Sequence, residues 1–233
     1  MVRYGDLTID WLGYATSRIG DGSRTVYIDP GRYGVLGGYD ERDGDLVFVT
    51  HDDHYDPEGI ERVAAPDATV CVFEGISSAD IERDSRPVED LDYEIHRVAA
   101  GDAFEIRGIG VEALPAYNEV DGPHSREDGT PYHPKGEGVG YRLDFDGTSV
   151  FYPGDSDVIT EYEGLSADVF LAPIDDAFTM SPEAALDLAE RMDAKLVVPV
   201  HYDTFEGLEG DADAFASAAS DRGLRVEVLS PNH

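Results

Sequence analysis

Two histidines and three aspartates occupy six consecutive positions of this sequence, at residues 51–56. Imidazole nitrogens and carboxylate oxygens are ligands for divalent transition metals, so this composition predicts a metal site that includes His51 and His54. A solvated polar loop is the alternative interpretation, since surface loops are also rich in polar residues. The density of imidazole and carboxylate in so short a stretch favours the metal site.

The predicted elements on either side of this stretch explain how its side chains would be positioned. Residues 46–50 are strand-forming and mostly apolar, which predicts a buried strand. Pro57 suits the first turn of a helix, which we expect over residues 57–65. The polar residues therefore follow a strand and precede a helix, which is where α/β proteins build their binding sites.

Polar side chains also follow two later strands. The strand predicted over residues 149–152 is followed by Asp155, and the strand predicted over 196–200 is followed by His201. Taken alone, Asp155 could equally be a turn residue, and an isolated His201 would more often be a satisfied core histidine than a ligand. Their repetition of the first pattern indicates that these strand ends converge on one metal site.

A long loop between strands carries a further candidate. Residues 115–136 are rich in Gly, Pro, His and Asp and include Asn118 and His133. A structureless loop of about twenty residues is uncommon in a compact domain and usually functional. The loop also contains His124. The four histidines His51, His54, His133 and His201, which adjoin strand ends or this loop, again favour one convergent site.

Acidic residues outnumber basic ones by 50 to 17, for a net charge of −33. They are spread along the chain, and the 41% apolar content indicates a folded core. A folded chain with this charge repels itself at low salt, as is typical of proteins adapted to high salt. The charge disfavours nucleic acid as a partner.

Length and hydropathy predict one cytoplasmic domain over residues 1–233. No apolar run approaches the roughly 20 residues needed to span a bilayer, and the first residues lack a signal-peptide pattern, so no membrane contact is expected. The single cysteine, Cys71, lies in an apolar strand and is predicted to be a core residue. A homo-oligomer is left open.

Strand hairpins in the first two thirds of the chain give way to alternating strands and helices. This order predicts two sheets packed together with helices outside. The other predicted strands span residues 8–13, 25–28, 93–98, 103–106, 111–114, 139–145, 169–172 and 224–229. The other predicted helices span residues 77–83, 182–192 and 212–220.

Several short motifs, taken in order, cover nearly the whole chain. They are Trp11-Leu12-Gly13, Ile28-Asp29-Pro30, Thr50-His51, Asp53-His54-Tyr55-Asp56-Pro57, Pro115-Ala116-Tyr117-Asn118, His133-Pro134-Lys135-Gly136, Gly154-Asp155 and Pro199-Val200-His201-Tyr202. Together they resemble the metallo-β-lactamase superfamily, in the branch of metal-dependent hydrolases similar to L-ascorbate-6-phosphate lactonase. The resemblance implies an α+β fold, a four-layer αβ/βα sandwich with the metal site at one edge of its two sheets.

The resemblance also implies metal ligands. Members of the superfamily carry a run His-x-His-x-Asp-His, a later aspartate that bridges two metals, and a final histidine. Asp53 and His54 match the last two positions of the run, Asp155 matches the bridging aspartate, and His201 matches the final histidine.

The chain departs from this pattern at the first metal. Its run is two residues short, so that His51 alone remains of the first two histidines. Asn118 stands where relatives often have a histidine, and His133 is a candidate substitute. The expectation is therefore one or two divalent ions, zinc first, with manganese and iron as alternatives.

The implied activity is metal-dependent hydrolysis of a small ester, lactone or phosphoester, because a metal lowers the pKa of bound water toward about 7. Asp53 and Asp155 are the predicted catalytic carboxylates. Lys135 and Asn118 are predicted to contact the small-molecule substrate. Lys135 would bind an anionic group, or alternatively it is a solvated loop lysine.

A second interpretation is a non-catalytic or single-metal member of the family that acts as a ligand-binding or assembly protein. The incomplete set of ligands for the first metal favours it. A nuclease of the same superfamily is disfavoured by the acidic charge and by the lack of an additional nucleic-acid-binding domain.

Overall fold

The computed structural model describes residues 1–77, 81, 83 and 85–231. The chain divides into two compact units. The N-terminal unit comprises Met1–Ala99 and the residues from Ser230 on, and the C-terminal unit comprises Ala100–Leu229. The single domain expected over residues 1–233 stays a prediction.

A seven-stranded mixed sheet forms the N-terminal unit, with its strands in chain order. The strands are β1 Val2–Tyr4, β2 Leu7–Gly13, β3 Thr16–Gly20, β4 Thr25–Ile28, β5 Gly44–Val49, β6 Ala64–Phe73 and β7 Glu94–Val98. Neighbours from β1 to β4 are antiparallel, and neighbours from β4 to β7 are parallel. The apolar side chains of β4 and β5, and those of β6 from Ala68 to Phe73, are almost completely buried and form the core of the unit.

A 3₁₀ turn at Asp52–His54 and helix α1 at Pro57–Val63 connect β5 to β6. Asp56 caps α1, because its side chain accepts hydrogen bonds from the backbone amides of Glu58 and Gly59. The helix stops two residues before the predicted end at residue 65, since β6 begins directly at Ala64. The region 51–56 is thus held between a buried strand and a capped helix.

Two strands of this unit were not predicted. Strand β1 has only three residues, and β3 has an arginine in its middle, so neither presents an apolar run. A turn at Asp21-Gly22 joins β3 to β4. The helix predicted over 77–83 falls on a segment in which residues 78–80 and 82 lie outside the described residues.

A six-stranded mixed sheet forms the C-terminal unit, in the order β13-β12-β11-β10-β9-β8. Its strands are β8 Ala103–Ile106, β9 Ile109–Pro115, β10 Val139–Phe145, β11 Thr148–Tyr152, β12 Val169–Pro173 and β13 Leu196–Val200. Its helices are α2 Pro182–Arg191 and α3 Ala212–Asp221. Strands β8 to β11 are antiparallel, and β11 to β13 are parallel.

The strand predicted over residues 224–229 is wrong. The segment makes only an isolated bridge, in which Val226 lies opposite Val197. Arg225 and Glu227 beside it are not buried, so the segment lacks the apolar face that would hold a longer strand against the sheet. By contrast, α2 begins at Pro182 as predicted, and Ser181 caps it.

Cys71 is fully buried in β6, which confirms it as a core residue. In the part of the chain that the structure describes, none of the helices has the length and apolar character needed to cross a membrane.

Parallel strands explain where the candidate site residues lie. In the N-terminal unit, Ile28 of β4 pairs with Phe48 of β5, so Asp29 and Thr50 emerge at the same edge of the sheet. In the C-terminal unit the parallel strands β11, β12 and β13 likewise end at one edge. Carboxyl ends of adjacent parallel strands form the crevice in which α/β sheets bind ligands.

Candidate metal centre

Asp29 fixes the orientation of His54 in the N-terminal unit. Its Oδ1 accepts the backbone amide of Thr50 at 2.8 Å, and its Oδ2 accepts the Thr50 hydroxyl at 2.7 Å. The same Oδ2 lies 2.8 Å from Nδ1 of His54. All three residues are buried. A carboxylate partner places the imidazole proton on Nδ1, so His54 presents the lone pair of Nε2 for a metal.

His51 is oriented by the threonine beside it. Its Nδ1 lies 2.9 Å from the Thr50 hydroxyl oxygen. Because that hydroxyl donates its hydrogen bond to Asp29, its oxygen accepts a hydrogen bond from the protonated Nδ1 of His51. The ring centroids of His51 and His54 are 4.3 Å apart. The N-terminal unit thus holds two adjacent imidazoles whose basic nitrogen is Nε2.

Asp53 has different surroundings from the two histidines. Its side chain is 63% exposed, and its Oδ1 lies 3.9 Å from Nη1 of Arg32. A buried partner such as the one that holds His54 therefore does not fix this carboxylate. Its predicted roles as a metal ligand and catalytic group stay predictions.

Asp155 contacts two histidines in the C-terminal unit. Its Oδ1 lies 3.3 Å from Nε2 of His201, and its Oδ2 lies 3.5 Å from Nε2 of His133. Asp155 and His201 are buried. Two imidazole nitrogens facing one carboxylate are a donor set that suits zinc, manganese or iron.

His201 is held by a second carboxylate, at Asp175. Nδ1 of His201 lies 2.9 Å from Asp175 Oδ2, which leaves Nε2 directed at Asp155. Burial alone lowers the pKa of His201, but the carboxylates of Asp155 and Asp175 outweigh it and raise that pKa to about 10. Burial raises the pKa of Asp175, but its hydrogen bond to His201 is part of a larger opposing effect that lowers it.

His133 is held by Asn118. The Asn118 Oδ1 accepts the backbone amide of His133 at 2.9 Å and lies 3.2 Å from its Nδ1. Since a backbone amide only donates, this contact fixes which end of the side-chain amide is oxygen. His133 Nδ1 then carries the proton, and Nε2 faces Asp155. The structure places Asn118 behind a histidine, while its predicted contact with substrate stays a prediction.

A buried network supports Asn118 from behind. Its Nδ2 donates to Phe178 O at 3.0 Å and to Asp157 Oδ1 at 3.3 Å. Asp157 Oδ1 also contacts Nδ1 of His124, while Oδ2 accepts the amide of Glu119 at 2.8 Å. The bond to Asp157 raises the pKa of His124 against the opposing effect of burial. Asn118 is thus held in one orientation by buried groups.

Lys135 is paired with a carboxylate. Its Nζ lies 2.6 Å from Glu161 Oε1 and 4.6 Å from the centroid of the Tyr117 ring. The hydrogen bond from Lys135 lowers the pKa of Glu161 to about 2. The side chain is 62% exposed, so its predicted role in binding an anionic substrate stays a prediction.

Backbone strain accompanies two of these residues. Asp29 has φ of 46° and His201 has φ of 59°, both in the left-handed region that non-glycine residues rarely adopt. Such a residue costs about 1 kcal/mol or more, and it persists where side-chain contacts hold it. Asp29 and His201 are both held by buried hydrogen bonds, to Thr50 and Asp175 respectively.

Residues that could hold a divalent metal therefore occur in both units. They are His51 and His54 in the N-terminal unit and His133, Asp155 and His201 in the C-terminal unit. The donors fit a cation, because Asp155 and Asp175 raise the proton affinity of the imidazole between them. A divalent cation would also place positive charge beside Asp155. To bind, it would have to displace the proton from Nε2 of His201.

Sequence reasoning missed the residues that hold the histidines, namely Asp29, Thr50, Asp157 and Asp175. Position offered a signal, since Asp29 directly follows β4 and Asp175 follows β12 after one residue. In a chain with 50 acidic residues, however, a single aspartate after a strand carries little information.

Comparisons with known proteins show the family to which the chain belongs. The family described as the beta-lactamase superfamily domain matches residues 8–201. A UPF0173 metal-dependent hydrolase of Methanosphaerula palustris is 32% identical, over 96% of this chain and 95% of the relative. One of Methanopyrus kandleri is 29% identical, over 96% of each chain. A metallo hydrolase from Ignicoccus hospitalis has a similar fold, with TM-score 0.72, 22% identity, and 97% and 96% of the two chains covered.

The chain therefore belongs to the beta-lactamase superfamily and, within it, to the UPF0173 metal-dependent hydrolases. This confirms the predicted α+β class and metallo-β-lactamase fold. Fold and donor residues together imply the use of a divalent metal.

Proposed function

We propose that this protein hydrolyses a small ester, lactone or phosphoester with a water activated by zinc, manganese or iron. The observation that supports it most is the contact of the Asp155 carboxylate with Nε2 of both His133 and His201. Membership of a family of metal-dependent hydrolases supports the reaction class.

The protein's own residues orient and tune the site. Asn118 and Asp175 place the imidazole protons on Nδ1, so that the Nε2 lone pairs of His133 and His201 are directed at Asp155. Asp155 supplies the negative charge that binds a cation, or a proton on His201 in its place. A bound divalent metal would supply Lewis acidity and lower the pKa of a bound water toward about 7.

The test combines metal content with turnover. The purified protein is analysed for metals by mass spectrometry, stripped with a chelator, and reloaded separately with zinc, manganese and iron. Each form is assayed on generic esters, lactones, phosphomonoesters and phosphodiesters. We expect hydrolysis of at least one class, lost on stripping and restored by one metal. Turnover that survives complete stripping would contradict the proposal.

A second candidate is a metal-loaded protein without hydrolytic activity that binds a small ligand. The 63% exposure of Asp53 favours it, because a carboxylate that positions a nucleophile is normally held in place. Metal retention without turnover on any substrate class would support this candidate over the hydrolase.

A further inference from the structure

A pocket of about 460 Å³ lies in the N-terminal unit beside the turn that carries His54. Its lining includes three of the 17 basic residues of a chain with net charge −33. The residues that matter here are Arg32, Arg83, Arg86, Ser85, Asp56 and Glu61. Such a concentration of guanidinium groups in so acidic a chain requires an explanation.

Two of the guanidinium groups meet at one carbonyl oxygen. Nη1 of Arg32 donates to the backbone oxygen of Asp53. Nη2 of Arg83 lies 3.5 Å from that oxygen and donates to the backbone oxygen of Asp52 at 3.0 Å. Arg83 also donates to the oxygen of Tyr55. The turn therefore holds two like charges together at the pocket wall.

This proximity has an electrostatic consequence. Burial lowers the pKa of Arg83, and the positive charge of Arg32 lowers it further. The carboxylates of Asp53, Asp56 and Asp52 raise it, but the net direction is downward. Two neighbouring cations repel each other, and an anion placed between them relieves that repulsion. Each guanidinium has five N–H donors in a planar fork that matches the geometry of carboxylate and phosphate groups.

The lining also includes three carboxylates, Asp56, Glu58 and Glu61. Glu58 is exposed to solvent, and other groups already bind the remaining two. Asp56 accepts hydrogen bonds from the backbone amides of Arg32, Glu58 and Gly59. Glu61 forms an ion pair with Arg86 at 2.6 Å. These carboxylates neutralise their own partners, whereas the hydrogen-bond acceptors of Arg83 within the described part of the chain are backbone oxygens.

A hydroxyl group adds a second, independent observation. Ser85 is one of the residues that line the pocket; its hydroxyl oxygen is buried, and among the described residues it has no hydrogen-bond partner. A buried hydroxyl without a partner is costly, because it loses its hydrogen bond to water. An oxyanion in the pocket would accept that hydrogen bond.

We propose that Arg32, Arg83 and Ser85 bind an oxyanion, the phosphate or carboxylate group of an anionic substrate. The inference rests on the proposed hydrolytic function, because it places the anionic end of the substrate beside the turn that carries His51 and His54. It narrows the substrate class from small esters in general to those that bear a negative charge.

Isothermal titration of the full-length, chelator-treated protein tests the binding step without turnover. Inorganic phosphate and malonate are titrated separately, which distinguishes phosphate from carboxylate. The variants are Arg83→Gln and Arg32→Gln, and the matched control is Arg42→Gln, an exposed arginine paired with Asp40 at 2.8 Å. Circular dichroism selects the folded variants, and each of the first two tests the proposal by itself.

Wild-type protein should bind at least one of the two anions. Loss of one charge-assisted contact should weaken that binding about tenfold or more in Arg83→Gln or Arg32→Gln. Arg42→Gln should leave it within about twofold, since exposed ion pairs contribute little. Failure of the wild type to bind either anion, or equal weakening by the control, would overturn the proposal.

The outcome separates this proposal from the hydrolytic function. If the protein binds an anion through Arg83 but hydrolyses none of the substrates, the proposed anion site is supported and the proposed hydrolysis is contradicted. Hydrolysis with an unchanged KM for anionic substrates in Arg83→Gln overturns the pocket and leaves the reaction standing.

Discussion

The side-chain amide of Asn118 orients His133, a role that its position in the sequence does not indicate. Its side chain accepts two hydrogen bonds from His133 and donates to Phe178 O and Asp157. This chain uses the Asn118 amide to orient a histidine from the long loop. The same arrangement, Nδ1 held and Nε2 presented, recurs at His54.

Substitution of Asn118 should therefore weaken metal binding. In Asn118→Leu, His133 loses the acceptor that keeps its proton on Nδ1 and fixes its ring. Loss of such an orienting partner typically lowers metal affinity 10–100-fold. Competition titration with a fluorescent chelator measures the change.

Lys135→Gln is the matched control, because it alters the same loop near His133 without touching Asn118. We expect its metal affinity to equal that of the wild type. Equal affinity in Asn118→Leu and wild type would contradict the orienting role.

Among the elements, α1 depends on one close approach between the helix and the segment after β4. A Cβ on Gly59 would lie 2.2 Å from the carbonyl oxygen of Pro30. Only glycine allows this contact, which keeps Asp56 within reach of the Arg32 amide and holds the 52–54 turn against the helix. Gly59 thus links the position of α1 to that of the turn that carries His54.

Gly59→Ala should destabilise the fold. Overpacking of this kind costs about 1–3 kcal/mol, because backbone has to shift to admit the methyl group. For a chain of this size each kcal/mol lowers Tm by roughly 2–4 °C. Gly110→Ala is the control, since its Cβ would have its nearest contact at 3.4 Å, from Asp144. Equal melting temperatures for the two variants would show that α1 does not need this glycine.

Elements with clear apolar runs could be predicted closely from sequence. Strands β4, β8, β10 and β13 have the predicted bounds, since each is bordered by turn or polar residues. Strand β3 could not be found, because Arg18 interrupts its pattern and instead contacts Tyr27 and Asp43. Contacts of this kind between neighbouring strands cannot be predicted from the local sequence of one strand.

The candidate site, like the strands, could be predicted only where the local sequence carries the signal. Side chains that directly follow strands, such as His51 and His201, are recognisable because imidazole is rare in this chain. Asp29 and Asp175, which hold His54 and His201, were not recognisable as their partners, since pairing depends on which parallel strands are neighbours. Strand order is a property of the folded sheet and cannot be read from one segment.

At the scale of the whole molecule, charge dominates. The chain has 50 acidic and 17 basic residues, and many of its arginines form exposed ion pairs, for example Arg225 with Glu227 and Arg86 with Glu61. Exposed pairs of this kind contribute little to stability. The remaining carboxylates repel one another in the folded state, and dissolved salt screens that repulsion.

Thermal stability should therefore rise with salt. We expect Tm to increase as potassium chloride is raised from low to molar concentration, with most of the rise once the Debye length falls below about 10 Å, near 0.1 M. Calorimetry at constant pH measures the midpoint, and sucrose series at low salt control for effects other than screening. The same midpoint at all salt concentrations would remove the interpretation of adaptation to high salt.

The proposed chemistry depends above all on a divalent metal held by Asp155 beside His133 and His201. The most direct measurement is the metal content of purified wild type and of Asp155→Asn, determined by mass spectrometry after identical loading and dialysis. Asparagine has the shape of aspartate without its charge, so the variant tests the carboxylate itself. We expect the wild type to retain zinc, manganese or iron in stoichiometric amount and the folded variant to lose that metal. Undiminished metal in folded Asp155→Asn, or none in the wild type, would contradict this expectation.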